Sequence, residues 1–157
     1  MDPVTLTLLL GRLGRLTDSM TTEICAAADT TPSEIRVLAL LVHADDGVAR
    51  PSDVARFVVQ TSGGLTATLN RLEQQALIER RPDPADGRGR LVVITDAGRS
   101  LYDAVLGRLS EATSTALAGL DLEQVGPQIL ELIVALEAAS SMPSSAGFVA
   151  VPIGVPA

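Results

Sequence analysis

The sequence predicts a mainly α-helical protein with one small β-hairpin. Apolar residues recur at every third or fourth position over most of the 157 residues, a spacing typical of amphipathic helices. Residues 77–81 and 91–94 form two short runs around a loop rich in Pro, Gly and Asp, which is typical of a hairpin. Aromatic residues make up only 2% of the chain, so the core must consist of Leu, Val, Ile and Ala.

The first third of the chain is predicted to contain three helices. The first spans about residues 4–28, and the second begins at Pro32, a residue favoured at the first helical position. Ser52 is the predicted N-cap of the third helix. The first helix carries an apolar stripe of Leu6, Leu9, Leu10, Leu13, Leu16 and Met20, which suits either dimerisation or an ordinary core helix. The predicted buried faces of the next two helices consist of Ile35, Leu38, Leu41 and Val42, then Val54, Ala55 and Val58.

The fourth predicted helix has two chemically different faces. Thr61 or Ser62 suits its N-cap, because a hydroxyl oxygen accepts hydrogen bonds from the first unpaired amides. The apolar stripe consists of Leu65, Leu69, Leu72 and Ala76. The opposite face is small, polar and weakly basic, and it consists of Gly63, Thr66, Ala67, Asn70, Arg71 and Gln74. A helix with such a face suits the major groove of DNA.

The hairpin loop, residues 82–90, is predicted to present an arginine at its tip. Arg88 lies between Gly87 and Gly89, which allow a tight turn and a close approach to a duplex. An arginine on a thin loop can enter a narrow, A·T-rich minor groove, where the negative potential is strongest. Asp86 is expected to hold the Arg88 guanidinium through a bidentate pair. The alternative is a solvated, charged hairpin.

Two more helices and an apolar tail are predicted after the hairpin. Thr95 is the expected N-cap of a helix that runs to about residue 118, and a last helix begins at residue 121 or 122 and ends near 139. Within the tail, residues 140–157, the segment 148–155 carries five large apolar side chains, which would favour aggregation if they were exposed. We therefore expect it to pack in an extended form on the body of the protein, with disorder as the alternative.

Positive charge is concentrated in the middle of the chain, although the net charge is −7. Residues 50–90 carry seven Arg against five acidic residues, a net charge of +2. Residues 1–49 carry three Arg against seven acids (−4), and residues 91–157 carry two against seven (−5). A basic segment flanked by acidic helices is typical of a chain in which one part binds nucleic acid.

Three pieces of the sequence, in this order, resemble the MarR family of bacterial transcription regulators. The first is the run Thr61-Ser62-Gly63-Gly64-Leu65-Thr66 followed by Asn70-Arg71-Leu72-Glu73. The second is the hairpin run Arg81-Pro82-Asp83-Pro84-x-Asp86-x-Arg88. The third is Thr95-Asp96-Ala97-Gly98-Arg99 ahead of a long helix. The resemblance covers roughly residues 5–139.

The resemblance implies a winged helix-turn-helix DNA-binding domain at residues 31–95. An N-terminal dimerisation helix at 1–30 and C-terminal dimerisation helices at 96–139 would flank it. The implied protein is a homodimeric repressor of a pseudo-palindromic operator in double-stranded DNA. A small apolar or aromatic effector would bind between the dimerisation helices and the winged domain and change the separation of the recognition helices. The resemblance implies no metal and no other cofactor.

The expected DNA contacts lie on the fourth helix and on the hairpin. They are Ser62, Gly63, Thr66, Asn70, Arg71, Arg88 and Arg90, with Asp86, Gly87 and Gly89 supporting the wing. Asn70 can pair with adenine through two hydrogen bonds, and Arg71 can pair with guanine or a phosphate. The alternative for Arg71 is an intramolecular ion pair, for example with Glu73 or Asp86.

Two rival functions can be compared with this one. The acidic net charge and the small residues of the fourth helix also suit a winged helix that contacts only other proteins. An enzyme would need a clustered acid, base or nucleophile, and the sequence shows no such motif.

His43 is expected to cap or pack, and Cys25 is expected to be a buried, inert thiol. A single cysteine, with no apolar run of membrane-spanning length and no signal peptide, predicts a cytoplasmic protein.

Overall fold

The computed structural model describes residues 2–58 and 62–139, apart from the side chains at positions 62, 87, 88 and 137. Within these residues, six α-helices, one short 3-10 helix at Asp45–Gly47 and three strands confirm the predicted mainly α fold with a small β-wing. Their bounds are α1 Pro3–Ala26, α2 Pro32–His43, β1 Val48–Ala49, α3 Pro51–Val58, α4 Ser62–Gln74, β2 Ile78–Asp83, β3 Asp86–Ile94, α5 Asp96–Leu117 and α6 Leu122–Ala139. The predicted tail and the predicted cap at Thr61 lie outside the described residues.

Local capping residues set the starts of two helices. At α2, Thr31 Oγ1 accepts a hydrogen bond from the Glu34 amide at 3.2 Å, and Glu34 Oε2 accepts one from the Thr31 amide at 2.8 Å. At α5, Thr95 Oγ1 accepts from the Gly98 amide at 3.1 Å, as predicted. The predicted N-cap at Ser52 is wrong, because α3 begins one residue earlier and Ser52 lies within its first turn.

The strands form one antiparallel sheet in the order β1-β3-β2. The short strand β1, which was not predicted, pairs with β3 through Val48 and Val93. The predicted hairpin loop is wrong, because β2 continues to Asp83 and β3 already begins at Asp86. Only residues 84–85 form the turn, so Arg88 lies within strand β3 and not at a loop tip.

The hydrophobic core joins α2, α4, the sheet and α5. Its fully buried large side chains include Leu38, Leu41, Leu72, Ile78, Val92 and Val105. Gly98 of α5 lies against Leu77, the residue just before β2. A Cβ atom at Gly98 would collide with the carbonyl of Leu77 and crowd the Ile94 side chain. Only glycine allows this close approach, so Gly98 fixes α5 against the sheet.

The predicted stripe of α4 is confirmed at three of its four positions. Leu65, Leu69 and Leu72 are buried, whereas Ala76 is exposed and lies beyond the helix with a φ of +56°. The Ala76 amide donates to the Glu73 carbonyl and the Leu77 amide donates to the Leu72 carbonyl. This pattern of hydrogen bonds is a Schellman motif, in which the residue with left-handed backbone angles is usually glycine.

Many large apolar side chains on α1 and α6 remain exposed. Leu8 is 69% exposed, Leu13 49%, Leu16 60%, Leu130 48% and Val134 61%. A monomer would leave this surface in contact with water, which predicts a further partner for these helices. None of the described helices is both long enough and apolar enough to cross a membrane.

Candidate nucleic-acid interface

The outer face of α4 is open to solvent, as its pattern predicts. Gly63, Thr66, Ala67, Asn70 and Gln74 are all exposed, opposite the buried leucine stripe. Ser62 is the first residue of α4. A helix that buries one side and presents small and polar residues on the other can lie in a major groove without a steric clash.

Arg80 of β2 holds two residues of α4. Its Nη2 atom donates to Asn70 Oδ1 at 2.8 Å, and its Nη1 atom lies 3.0 Å from Glu73 Oε2. The Arg80 side chain is 29% exposed, so the guanidinium lies against the helix between the two partners. The contacts of Arg80 with Asn70 and Glu73 therefore join the wing to α4, in addition to apolar packing.

Arg71 forms an intramolecular ion pair, but not with the partners predicted for it. Its Nε atom lies 2.9 Å from Glu34 Oε1, and its Nη2 atom is 3.5 Å from Asp29 Oδ1. Glu34 is only 2% exposed and also accepts from the Thr30 hydroxyl at 3.0 Å. The buried Glu34 carboxylate thus binds Arg71 of α4, the Thr30 hydroxyl and the Thr31 amide. Through this carboxylate, Arg71 ties α4 to the start of α2.

The wing contains a bulge at the glycine-flanked arginine. Pro82 pairs with Arg90 and Asp83 pairs with Asp86, so residues 87–89 of β3 have no opposite residue in β2. The bulge therefore contains Gly87, Arg88 and Gly89. A Cβ atom at Gly89 would lie 3.1 Å from Asp83 Cβ and 3.2 Å from Asp86 Cβ, so a larger residue there would require these aspartates to shift by a few tenths of an ångström.

Asp83 anchors the turn of the wing. Its Oδ1 atom accepts from the Ala85 amide at 2.9 Å, and its Oδ2 atom accepts from Arg50 Nε at 3.0 Å. The Ala85 amide and then the Arg50 guanidinium lower the pKa of the Asp83 carboxyl. A charged Asp83 thus ties the wing to the residue ahead of α3, whereas sequence reasoning had predicted an aspartate–arginine pair between Asp86 and Arg88.

Sequence reasoning also missed Arg80 and Glu34. Residues two apart on a strand share a face, so Arg80 lies on the same side as Ile78, which is 1% exposed. That alternation could have distinguished Arg80 from its neighbour Arg81, which is 61% exposed. For Glu34, the pattern Thr-x-x-Glu ahead of an apolar run indicates a capping box. The pattern gives no sign that Glu34 also pairs with Arg71, which lies far away in the sequence.

A mostly apolar cavity of about 310 Å³ lies between α1, α2, α3 and α5. Its apolar walls include Ile35, Ala39, Phe57, Leu106 and Leu109. Arg36 and Asp18 are its charged members. This is the region in which the resemblance places an effector.

His43 and Cys25 were both expected to have structural roles. His43 contacts Tyr102, which lines this cavity, and Cys25 lies in the core. The His43 ring meets the Tyr102 ring edge-on, with the centroids 6.3 Å apart, so His43 packs as expected. Cys25 is fully buried, and burial raises the pKa of its thiol. A protonated, inaccessible thiol is a poor nucleophile, which agrees with the expected inert role.

Comparison with known proteins gives matches over the segment that contains α4 and the wing. The model of the MarR family matches residues 28–89, which include α2, α3, α4, β2 and the bulge of the wing. An uncharacterised HTH-type transcriptional regulator of Bacillus subtilis (strain 168), YdgJ, is 30% identical over 99 residues, which are 63% of this chain. The chain spans 59% of the length of that curated relative.

Two solved structures share the fold over most of the chain. Sco3205, a MarR family transcriptional regulator from Streptomyces coelicolor in complex with DNA, has a TM-score of 0.73 at 20% identity, over 93% of this chain and 92% of its own. CouR from Rhodococcus jostii RHA1, bound to p-coumaroyl-CoA, has a TM-score of 0.72 at 21% identity, over 88% and 95%. The match to the MarR family thus falls on the exposed helix and the wing, and the fold shared with these two structures extends to the helices on both sides.

Proposed function

We propose that this protein is a DNA-binding transcription regulator that acts as a homodimer, with α4 as its recognition helix. One observation carries the proposal: the small, polar face of α4 is exposed, and the arginine-bearing wing is clamped to that helix. YdgJ is a transcriptional regulator and Sco3205 was solved with DNA, which supports the same function here. The acidic net charge is compatible with it, because positive charge is concentrated in residues 50–90.

The proposed complex places α4 in the major groove and the wing over the minor groove. Thr66 and Asn70 face the base edges, while Gly63 and the first amides of α4 meet a phosphate. Arg88 and Arg90 of the wing contact the minor groove or its phosphates. We assign Arg71 the role of orienting α4, since Glu34 and Asp29 already hold its guanidinium.

The homodimer follows from the exposed apolar faces of α1 and α6. Covering them with a second copy would bring two recognition helices to successive major grooves of a pseudo-palindromic operator. A regulator of bacterial genes works where the chromosome is, so we place it in the cytoplasm. Repression is the proposed direction of control.

The effector is proposed to be a small apolar or aromatic molecule that fills the cavity between α1, α2, α3 and α5. The cavity touches both the dimerisation helices and α3 of the winged domain, so a ligand there can favour one relative position of the two. CouR binds p-coumaroyl-CoA, which supports a ligand-responsive role. A screen for aromatic compounds that release the protein from its operator would test this part.

The DNA-binding proposal is tested with duplexes selected by the purified protein from random-sequence DNA. We expect the logarithm of the binding constant to fall linearly with the logarithm of the salt concentration, because phosphate contacts release counterions. Arg88→Ala should weaken binding to all duplexes, and most strongly where the minor groove is A·T-rich. Fluorescence anisotropy at several salt concentrations measures both effects.

Arg108→Ala is the matched control, because it removes one arginine from α5, outside the wing and α4. It should leave the affinity and the salt dependence nearly unchanged. The rival proposal, a winged helix that binds only proteins, predicts that no duplex is bound in a salt-dependent manner. If Arg88→Ala binds as tightly as Arg108→Ala at physiological salt, the wing has no part in DNA binding.

A further inference from the structure

We propose that Arg80 sets the base preference of Asn70, so that the recognition helix selects guanine rather than adenine. This inference rests on the proposed DNA-binding function and adds a specificity residue that lies outside the helix. It follows from the contact between Arg80 Nη2 and Asn70 Oδ1, at 2.8 Å.

The contact fixes which edge of the Asn70 amide faces the DNA. A guanidinium can only donate hydrogen bonds, so the carbonyl oxygen of Asn70 must face Arg80. The Asn70 amino group then points away from Arg80, and no described residue accepts a hydrogen bond from it. Because Asn70 lies on the exposed face of α4, this amino group is presented as a pure donor.

Arg80 is itself held in place, so the orientation of the amide is built into the fold. The second nitrogen, Nη1, pairs with Glu73 Oε2 at 3.0 Å, one helical turn after Asn70. Arg80 pairs with Val92 in the register of the sheet, which fixes its backbone relative to α4. The pair with Glu73 therefore holds the guanidinium against α4 independently of Asn70.

A donor at this position distinguishes the purines in the major groove. Adenine presents N7 as an acceptor and N6 as a donor, so its usual pairing with asparagine requires both the carbonyl and the amino edge to face the base. Guanine presents two acceptors, N7 and O6. An amino group beside a fixed positive charge therefore matches guanine, whereas the N6 group of adenine would meet another donor and a cation.

The test uses the duplex selected by the wild-type protein and the three other base pairs at each position of it. Asn70→Ala identifies the position that Asn70 contacts, because base preference is lost there. At that position, the wild type should bind guanine more tightly than adenine by about fivefold to a hundredfold, the range of a good side-chain pairing. Arg80→Ala frees the carbonyl edge, and the guanine-to-adenine ratio should fall at least fivefold.

Arg81→Ala is the matched control. It removes the same charge from the next residue of β2, where the guanidinium pairs with Glu79 and not with α4. It should lower affinity for all duplexes equally and leave the guanine-to-adenine ratio within twofold of the wild-type value. A structural effect common to the wing would change both variants alike.

A second measurement needs no protein variant. Replacing the contacted guanine by 7-deazaguanine removes the N7 acceptor, and replacing its base pair by 2-aminopurine opposite thymine removes the O6 acceptor. The wild-type protein should bind one or both of these duplexes at least fivefold more weakly. A wild-type preference for adenine, an unchanged ratio in Arg80→Ala, or indifference to Asn70→Ala or to both base analogues would overturn the inference. If the wild type binds no duplex at all, the proposed function itself fails.

Discussion

At the scale of single residues, the ion pair between Arg71 and Glu34 is expected to hold α4 on the domain. Arg71→Ala would leave the buried Glu34 carboxylate without its cationic partner, although the amide of Thr31 and the hydroxyl of Thr30 would remain. Loss of one partner of a buried polar pair costs about 1–3 kcal/mol, and partial exposure of Arg71 favours the lower half of that range. Urea unfolding measures the change in the free energy of unfolding.

Arg56→Ala provides the control for this prediction. Arg56 pairs with Asp53 on the surface of α3, where its side chain is 80% exposed. A surface pair contributes about 0–1 kcal/mol, so this variant should unfold close to the wild-type urea concentration. Equal unfolding midpoints for Arg71→Ala and Arg56→Ala would show that Glu34 does not depend on Arg71.

At the scale of elements, the end of α4 is strained where it meets the sheet and α5. Ala76 has a φ of +56°, and Thr95, the N-cap of α5, donates to its carbonyl at 2.8 Å. A left-handed conformation costs a residue with a side chain about 1–2 kcal/mol, and glycine avoids this at some cost in chain entropy. Ala76→Gly should therefore raise the free energy of unfolding by about 0.5–1 kcal/mol.

Ala67→Gly is the opposite-sign control within the same helix. Ala67 is exposed in the middle of α4, where glycine costs about 1 kcal/mol relative to alanine. Denaturant unfolding at one protein concentration should place the two variants on opposite sides of the wild type. If both are destabilised equally, the left-handed end of α4 is not present in solution.

These elements also show what the sequence could and could not predict. The leucine stripe of α4 and the cap at Thr95 depend on residues within four positions of each other, so local rules found them. The bulge of the wing depends on how β2 and β3 pair, and the Arg71–Glu34 contact joins residues on different helices. Such features are decided by tertiary packing, so the predicted loop 82–90 and the partners proposed for Arg71 were wrong.

At the scale of the whole molecule, we expect the apolar faces of α1 and α6 to be covered by a second copy. Sedimentation equilibrium should show a dimer at micromolar concentration. Leu13→Asp should dissociate it, because burial of a leucine contributes about 1.5–3 kcal/mol and a two-fold interface contains the residue twice. The same variant should also weaken operator binding, since a single recognition helix cannot occupy two half-sites.

Thr22→Asp is the control for dimerisation because it introduces the same charge into the same helix. At 100° per residue, Thr22 lies half a turn away from Leu13 around α1, and its side chain is exposed. It should sediment as the wild type does and keep its affinity for the operator. A monomer mass for the wild-type protein at micromolar concentration would contradict both the dimer and the placement of two recognition helices in successive grooves. A dimeric Leu13→Asp variant that still binds its operator would instead show that other surfaces, such as α6, hold the two copies together.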